Sequence, residues 1–194
     1  VSVFDPRTRT FSRPINSMEL NGNILEDPET IINDFYGNIW IKLSETGKIY
    51  KHTDSTKSTS CMNCNNNSEL DSLKITVLFG DYSNTIWFGS ESGLFSYDAK
   101  LDKIIKYPLE IGMINSIVNG QENEIWVGSN NGLIKVMNGP NGNYSIYKKS
   151  SSQSSIVSNN VKDLAWDANR KMLWIATDNG LSRYIPSEDK FFNI

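Results

Sequence analysis

The sequence has little of what most catalytic and metal sites need. Among its 194 residues it contains one histidine, His52, and two cysteines, Cys61 and Cys64. A Ser-His-Asp or Cys-His site therefore has one possible base, and a histidine-rich metal site is excluded. The cysteines form a single C-x-x-C in an Asn- and Ser-rich stretch, whereas zinc sites of this kind normally use two such pairs. We expect two thiols in a loop or a local disulfide there, and no metal or other cofactor.

Charge and hydropathy exclude two further classes of protein. The chain has 19 Lys and Arg against 22 Asp and Glu, which gives a formal net charge of -3 and a pI of about 5.2. No basic patch is present, so we expect no nucleic-acid partner. No apolar run approaches the roughly 20 residues that a membrane-spanning helix needs, so we expect no membrane span in this segment.

Tryptophan recurs in four near-identical short apolar segments. The four tryptophans are separated by 47, 39 and 48 residues, and a glycine follows each of them six or seven residues later. They are Trp40, Trp87, Trp126 and Trp174. An aspartate, Asp34 or Asp81, stands six residues before the first two, whereas the third repeat has Gly120 there and the fourth has Asp167 one place further back. A repeat of roughly 40 to 50 residues therefore organises the chain.

Each repeat is predicted to form four short strands. In the second repeat they are 74–79, 85–89, 94–97 and 103–107, rich in β-branched and aromatic residues and bounded by Gly, Asn, Asp and Ser. The glycine before the third strand indicates a turn that needs a positive φ. Four antiparallel strands in a repeat of this length form the blade of a β-propeller, so the fold class is all-β. The four periodic tryptophans are predicted to fill the core between neighbouring blades.

The repeats divide the chain into half a blade followed by four blades. We expect strands three and four of a preceding blade at 1–14, and full blades at 15–72, 73–109, 110–155 and 156–194, with a polar insertion forming a loop at 53–72. The two ends do not supply complementary halves of one sheet. We therefore predict an open arc of a larger ring, with exposed strand edges and with the remainder of the propeller as a partner.

The complete repeat has the pattern Asp-x-x-Gly-x-x-Trp-x-Gly-x-x-x-Gly-Leu-x-x-Tyr. Parts of it stand at 34–40, 87–97, 126–133 and 174–184. This pattern resembles the two-component regulator propeller repeat, which forms the periplasmic sensor region of hybrid histidine kinase–response regulator proteins. Gly120, Val136 and Gly47-Lys48 depart from it. The Gly-His of WD40 blades, the Asp box of sialidases and the Gly-Gly of Kelch blades are all missing.

The resemblance implies a function and a setting for the chain. It implies a periplasmic, non-catalytic sensor propeller in a ring of seven blades. The ligand would be an oligosaccharide from polysaccharide breakdown, and binding would be relayed to a cytoplasmic histidine kinase by a homodimer of the parent receptor. Because a fold does not fix a function, this assignment rests on the resemblance.

The ligand-binding residues are predicted on one face of the propeller. Loops joining strands two and three share that face with the connections from strand four to the next blade, and they carry carboxylates and amides that can bond sugar hydroxyls. The predicted residues are Glu45, Glu91, Asn130, Asn131, Asp178 and Asn179. Asn and Asp are also ordinary residues of tight turns, so the alternative for each residue is that it only stabilises its own turn. No catalytic residue and no metal ligand is predicted.

Two other functions are compatible with the fold. One is a glycosidase or lyase; a glycosidase would need a pair of acids, which Asp34, Asp81, Asp163 or Asp167 could supply. We expect Asp34 and Asp81 instead to bond backbone N–H groups of the turn after strand one. A protein-interaction propeller fits the same repeats.

Overall fold

The computed structural model describes residues 3–12, 27–53, 55–56, 58–64, 70, 73–99, 101–137, 139, 142–152 and 154–194. These residues form one two-stranded and four four-stranded sheets, all antiparallel. Strands β1 (Val3–Asp5) and β2 (Thr10–Ser12) form the small sheet. That this sheet is strands three and four of a preceding blade stays a prediction. Residues 15–26 of the predicted first blade lie outside the described residues.

Each four-stranded sheet is a meander whose strand order follows the chain. The first blade contains β3 (Pro28–Asn33), β4 (Asn38–Leu43), β5 (Ile49–Thr53) and β6 (Ser58–Cys61), and the second contains β7 (Ile75–Gly80), β8 (Ile86–Ser90), β9 (Gly93–Asp98) and β10 (Lys103–Lys106). The third contains β11 (Ile114–Asn119), β12 (Glu124–Ser129), β13 (Gly132–Met137) and β14 (Tyr144–Tyr147), and the fourth contains β15 (Val161–Asp167), β16 (Met172–Thr177), β17 (Gly180–Ile185) and β18 (Lys190–Asn193). The first strands of successive blades lie side by side. All four begin with the same register shift, a β-bulge that bends the strand.

The core lies between the blades, and tryptophan supplies its largest side chains. Trp40, Trp87 and Trp126 are fully buried. Trp40 packs against Tyr97 of the second blade with ring centroids 4.8 Å apart, and Trp126 packs against Tyr184 of the fourth blade at 5.2 Å. Trp174 is only partly buried, because no blade follows the fourth in the described part of the chain to cover it.

The structure differs from the sequence prediction in the polar stretch 53–72. Strand β6 lies within it and pairs with β5 as the outer strand of the first blade, where the sequence indicates a loop. Its Ser- and Thr-rich composition concealed it, because an outer strand needs few apolar residues. A disulfide joins Cys61, the last residue of β6, to Cys64. Asn63 ties this turn to the blade by accepting a hydrogen bond from the Ile49 amide at 2.8 Å.

Candidate functional site

Connections between the strands lie on two opposite faces of the arc, because successive strands of a meander run in opposite directions. We call one the turn face. It holds the turns between strands one and two, at 34–37, 81–85, 120–123 and 168–171. The loop face holds the connections between strands two and three, at 44–48, 91–92, 130–131 and 178–179, together with the connections between blades. The six ligand-binding residues predicted from the sequence all lie on the loop face.

On the turn face, aspartate carboxylates organise the first two blades. Asp34 is 5% exposed; its Oδ1 accepts hydrogen bonds from the amides of Tyr36 and Asn38, both at 2.9 Å. Its Oδ2 accepts from Asn38 Nδ2 at 2.8 Å and from Trp40 Nε1 at 2.9 Å. The prediction that this aspartate bonds backbone N–H groups is confirmed. The bond to the tryptophan of the same repeat was missed, although the fixed spacing of six residues was its signal.

Asp81 repeats the arrangement in the second blade. Its Oδ1 accepts from the amides of Ser83 and Thr85 at 2.8 Å, and its Oδ2 accepts from Trp87 Nε1 at 2.7 Å. Both oxygens of each aspartate are therefore committed to the blade. That arrangement is structural, and it disfavours these acids as catalytic groups. In the fourth blade Asp167 bonds Arg170 instead, and these bonds lower the pKa of Asp167.

The third blade lacks the aspartate and supplies a carboxylate from another position. A Cβ added to Gly120 would lie 2.7 Å from both Glu124 Oε2 and Trp126 Nε1. The Glu124 side chain therefore occupies the space that the aspartate uses elsewhere. It is 5% exposed, accepts from the Gln121 amide at 3.0 Å and forms an ion pair with Lys135. The buried Trp126 Nε1 has no hydrogen-bond partner among the described residues.

On the loop face, three of the predicted residues hold loops together. Asn130 Oδ1 accepts from the Met113 amide at 3.1 Å, and Asn131 Oδ1 accepts from Lys148 Nζ at 3.2 Å. Asp178 accepts from Asn160 Nδ2 at 3.0 Å. Hydrogen bonds from Ser158 and Asn160 lower the pKa of Asp178 below its usual range. These contacts tie the strand two–three loops of the third and fourth blades to the connections that enter or leave those blades.

The other three predicted residues, Glu45, Glu91 and Asn179, are exposed. The carboxylates of Glu45 and Glu91 make no hydrogen bond or ion pair within the described ranges. Asn179 uses its backbone amide to donate to Thr177 Oγ1 at 3.1 Å. The six predicted residues belong to four separate loops, one for each blade.

A cleft that the sequence did not predict lies on the turn face between the third and fourth blades. Its volume is about 400 Å³. It is lined by Gln121, Glu122, Glu124, Met137, Trp166 and Lys171, among others. The available signal was Trp166, the one tryptophan outside the four-fold lattice. In the described ranges no group of three or more His, Cys, Asp or Glu side chains is placed to hold a metal ion. Nor does that part of the chain contain a helix with the length and apolar character to cross a membrane.

Comparison with solved structures identifies the fold. The extracellular domains of BT4673 and BT3049 from B. thetaiotaomicron, both classed as hybrid two-component systems, are each 18% identical to the chain. They match 94% of it with TM-scores of 0.66 and 0.67, and the matched parts are 24% and 23% of those domains. A streptogramin B lyase matches 86% of the chain and 53% of its own length, at 18% identity and a TM-score of 0.60.

A β-propeller domain is among the similar structures as well. The predicted fold is therefore confirmed: the chain is an open β-propeller arc. It spans about a quarter of the length of the two extracellular domains. Searches of protein-family profiles and of curated protein sequences found no match.

Proposed function

We propose that this chain is part of the periplasmic sensor propeller of a hybrid two-component receptor. The observation that carries the proposal is the likeness over 94% of the chain to the extracellular domains of two such systems. The sensor would bind an oligosaccharide, with Glu45, Glu91, Asn130, Asn131, Asp178 and Asn179 as the contacts predicted from the sequence. A homodimeric parent receptor would relay binding to a cytoplasmic histidine kinase, because a ligand that favours one dimer arrangement shifts the equilibrium between two.

The disulfide between Cys61 and Cys64 supports the periplasmic location independently. Disulfides persist in oxidising compartments such as the periplasm and are rare in the bacterial cytosol, where thiols are kept reduced. This support comes from the chain itself rather than from its likeness to other proteins.

The state of the one histidine supports a binding role over a catalytic one. His52 is 7% exposed, and its Nδ1 lies 2.8 Å from Thr59 Oγ1 on the neighbouring strand. A general base must reach the proton that it removes, and a side chain packed inside the first blade does not. Asp34 and Asp81 are equally committed to their turns, as described above. The likeness to lyases is therefore a likeness of fold.

Two measurements test this function. The coding sequence on either side of this segment should contain further Trp-Gly-Leu blades, an apolar span of roughly 20 residues and a kinase module. A strain that lacks the gene should lose the induction of one set of transcripts on one polysaccharide and keep it on the others. A coding sequence with no such span and no kinase module, or an unchanged response on every polysaccharide, would overturn the proposal.

A further inference from the structure

Trp166 is the residue of the fourth blade that the repeat does not explain. On β15 it pairs with Leu173, directly before the lattice tryptophan of β16. The equivalent positions in the other blades are Asn33, Gly80 and Asn119, which pair with Ile39, Ile86 and Ile125. Three blades therefore form without an aromatic side chain at this place.

At the other junctions this position closes one blade against the next. Asn119 Oδ1 accepts a hydrogen bond from the Tyr82 amide at 3.1 Å, which joins the third blade to the turn of the second. A Cβ added to Gly80 would lie 3.6 Å from Ile32 Cδ1 of the first blade. At the junction of the third and fourth blades, the partly buried Trp166 packs against the core and also lines the cleft, together with Gln121, which occupies the position of Tyr82.

Lys171 also lines the cleft, and it is a second residue that the fold does not explain. Its φ is 50°, in the left-handed region. The equivalent residues of the other three turns are Gly37, Asn84 and Asn123, with φ values of 78°, 63° and 58°. Glycine and asparagine suit this conformation, whereas lysine is strained in it. The turn itself would favour glycine or asparagine at this position. A role of the Lys171 ammonium group in the cleft explains why a lysine stands there.

The remaining lining completes the chemistry of a small-ligand site. Its volume of about 400 Å³ lies within the range of such sites, which runs from about 300 to 1,000 Å³. Trp166 and Met137 supply apolar surface, while Gln121 and Glu122 supply donors and acceptors. Glu124 forms an ion pair with Lys135, and the lining residues Glu122 and Lys171 carry opposite formal charges. The site therefore has an aromatic surface, several hydrogen-bonding groups and no net charge.

We propose that this cleft binds one or two neutral sugar residues of an oligosaccharide. The indole of Trp166 stacks on the C–H face of a ring, and Gln121, Glu122 and Lys171 bond its hydroxyl groups. The choice of a saccharide as ligand rests on the proposed function, whereas the location of the site rests on the cleft. An acidic saccharide binds more weakly, because the cleft has no unbalanced cation for its carboxylate.

Indole N–H signals in a two-dimensional NMR spectrum of the 194-residue chain test the site directly. The chain has five tryptophans, and Trp166→Phe assigns the signal of interest. The probes are maltose, cellobiose, xylobiose and mannobiose, with digalacturonic acid as the charged comparison. We expect the Trp166 signal to shift with at least one neutral disaccharide, while those of the fully buried Trp40 and Trp87 stay in place. If no disaccharide shifts the Trp166 signal, the cleft is not a saccharide site.

A matched pair of variants separates the two faces. Glu122→Ala on the turn face should weaken binding of the neutral disaccharide by roughly tenfold, as expected for loss of a charged hydrogen bond. Glu110→Ala, an exposed carboxylate on the loop face that is not one of the six predicted contacts, should change it less than twofold. If the loop-face variant weakens binding about tenfold and Glu122→Ala changes it less than twofold, the cleft proposal is overturned and the sensor proposal stands. If Glu122→Ala weakens binding as expected but deletion of the receptor gene changes no transcript, the sensor proposal is overturned and the cleft proposal stands.

Lys171→Asn provides a readout that a purely structural residue would not give. Asparagine relieves the left-handed strain, so the melting temperature should rise by a few degrees. The same variant should weaken binding several-fold, because the ammonium group is lost. A higher melting temperature with unchanged affinity would remove Lys171 from the site.

Discussion

The first and third blades surround equivalent tryptophans in two different ways. Trp40 and Trp126 are both fully buried, and a lysine from the neighbouring strand lies over each ring, with Nζ 5.5 Å and 5.4 Å from the centroids. In the first blade the indole N–H is bonded to Asp34, whereas in the third the carboxylate comes from Glu124 and Trp126 Nε1 has no partner among the residues that the structure describes. These two blades therefore share an anion near one edge of the indole and a cation over its face, but not the residue that supplies the anion.

The two lysines also differ in what they join. Lys51 donates to the hydroxyl of Tyr97 and approaches Asp102 at 3.5 Å, both on the second blade. Lys135 pairs with Glu124 of its own blade. The first arrangement links two blades across their junction, and the second neutralises a carboxylate inside one blade. Replacing the lysine at these two equivalent positions should therefore lower the free energy of unfolding by different amounts.

Asp34→Ala should have the largest effect on stability. It removes the acceptor of four hydrogen bonds, including those from Asn38 and Trp40, and leaves buried donors unpaired. We expect a loss of about 3 kcal/mol or more in the free energy of unfolding, measured by urea titration. Glu45→Ala, an exposed carboxylate of the same blade, is the control and should cost less than about 0.5 kcal/mol. Equal effects of the two variants would contradict the role given to Asp34.

Replacing the two lysines should give unequal effects. Lys135→Met leaves the Glu124 carboxylate, whose side chain is 5% exposed, without its cation and should cost about 3 kcal/mol. Lys51→Met removes the cation near Asp102, whose side chain is 79% exposed and remains solvated. It should lower the free energy of unfolding by about 1 kcal/mol or less. Urea titrations of both variants measure the difference. A larger cost for Lys51 would mean that the link between blades outweighs the buried pair.

The sequence predicted the blades well because their signals are local. In the second blade the predicted strands 74–79, 85–89, 94–97 and 103–107 lie within one residue of those observed. The predicted positive φ before each third strand is present at Gly93, Gly132 and Gly180, at 144°, 133° and 119°. Strand β6 was missed because its signal is its pairing with β5, and an outer strand of Ser and Thr lacks apolar alternation.

The cleft could not be predicted from the sequence for a different reason. It forms between blades, from side chains such as Gln121 and Trp166 that are 45 positions apart, and its depth depends on the register of two sheets. The compensation of Gly120 by Glu124 was equally hidden, because spacing along the chain does not show that both positions reach the same space. The sequence did contain one usable clue, a fifth tryptophan outside the lattice.

Converting the third blade to the pattern of the first should show that Gly120 and Glu124 are coupled. Gly120→Asp alone places a second carboxylate against Glu124 Oε2, where even a Cβ would lie 2.7 Å away, so it should destabilise the protein. Glu124→Asn alone removes the partner of Lys135 and of the Gln121 amide. In the double variant the new aspartate can accept from Trp126 Nε1, as Asp34 does from Trp40.

A double-mutant cycle of these changes measures that coupling. We expect the double variant to be more stable than the sum of the single effects predicts, by about 1 to 2 kcal/mol. The same cycle between Gly120→Asp and the distant Glu45→Ala should be additive within about 0.5 kcal/mol. Additivity of the first cycle would show that Glu124 does not replace the missing aspartate.

The smallest expected difference concerns the tyrosines that pack against these tryptophans. Burial and a hydrogen bond to Asp102 raise the pKa of Tyr97 above its ordinary 10.0, and burial and a hydrogen bond to Asp189 do the same for Tyr184. Above pH 10 the unfolded tyrosine loses its proton while the folded one keeps it, so stability falls as the pH rises. Each tyrosine should contribute about 1 kcal/mol to that fall between pH 10 and 11, and about 1.4 kcal/mol per pH unit well above the unfolded pKa.

Tyr97→Phe and Tyr184→Phe should therefore each make the loss of stability above pH 10 shallower by about 1 kcal/mol per pH unit, measured by urea titration between pH 9 and 11. At neutral pH Tyr97→Phe should cost more than Tyr184→Phe by a few tenths of a kcal/mol up to about 1 kcal/mol, because the hydrogen-bond partner of Tyr97 in the preceding blade is the charged Lys51, whereas that of Tyr184 is the neutral Tyr147. On the acid side, the hydrogen bond from Tyr97 lowers the pKa of Asp102, so its contribution is present above the ordinary carboxyl pKa of 3.8 and is lost as the pH falls below it. Tyr97→Phe should reduce that acid sensitivity, and the remainder should come from Lys51. An alkaline slope that neither variant changes would mean that other groups govern the high-pH unfolding, and equal costs at neutral pH would mean that Lys51 adds nothing to the junction of the first two blades.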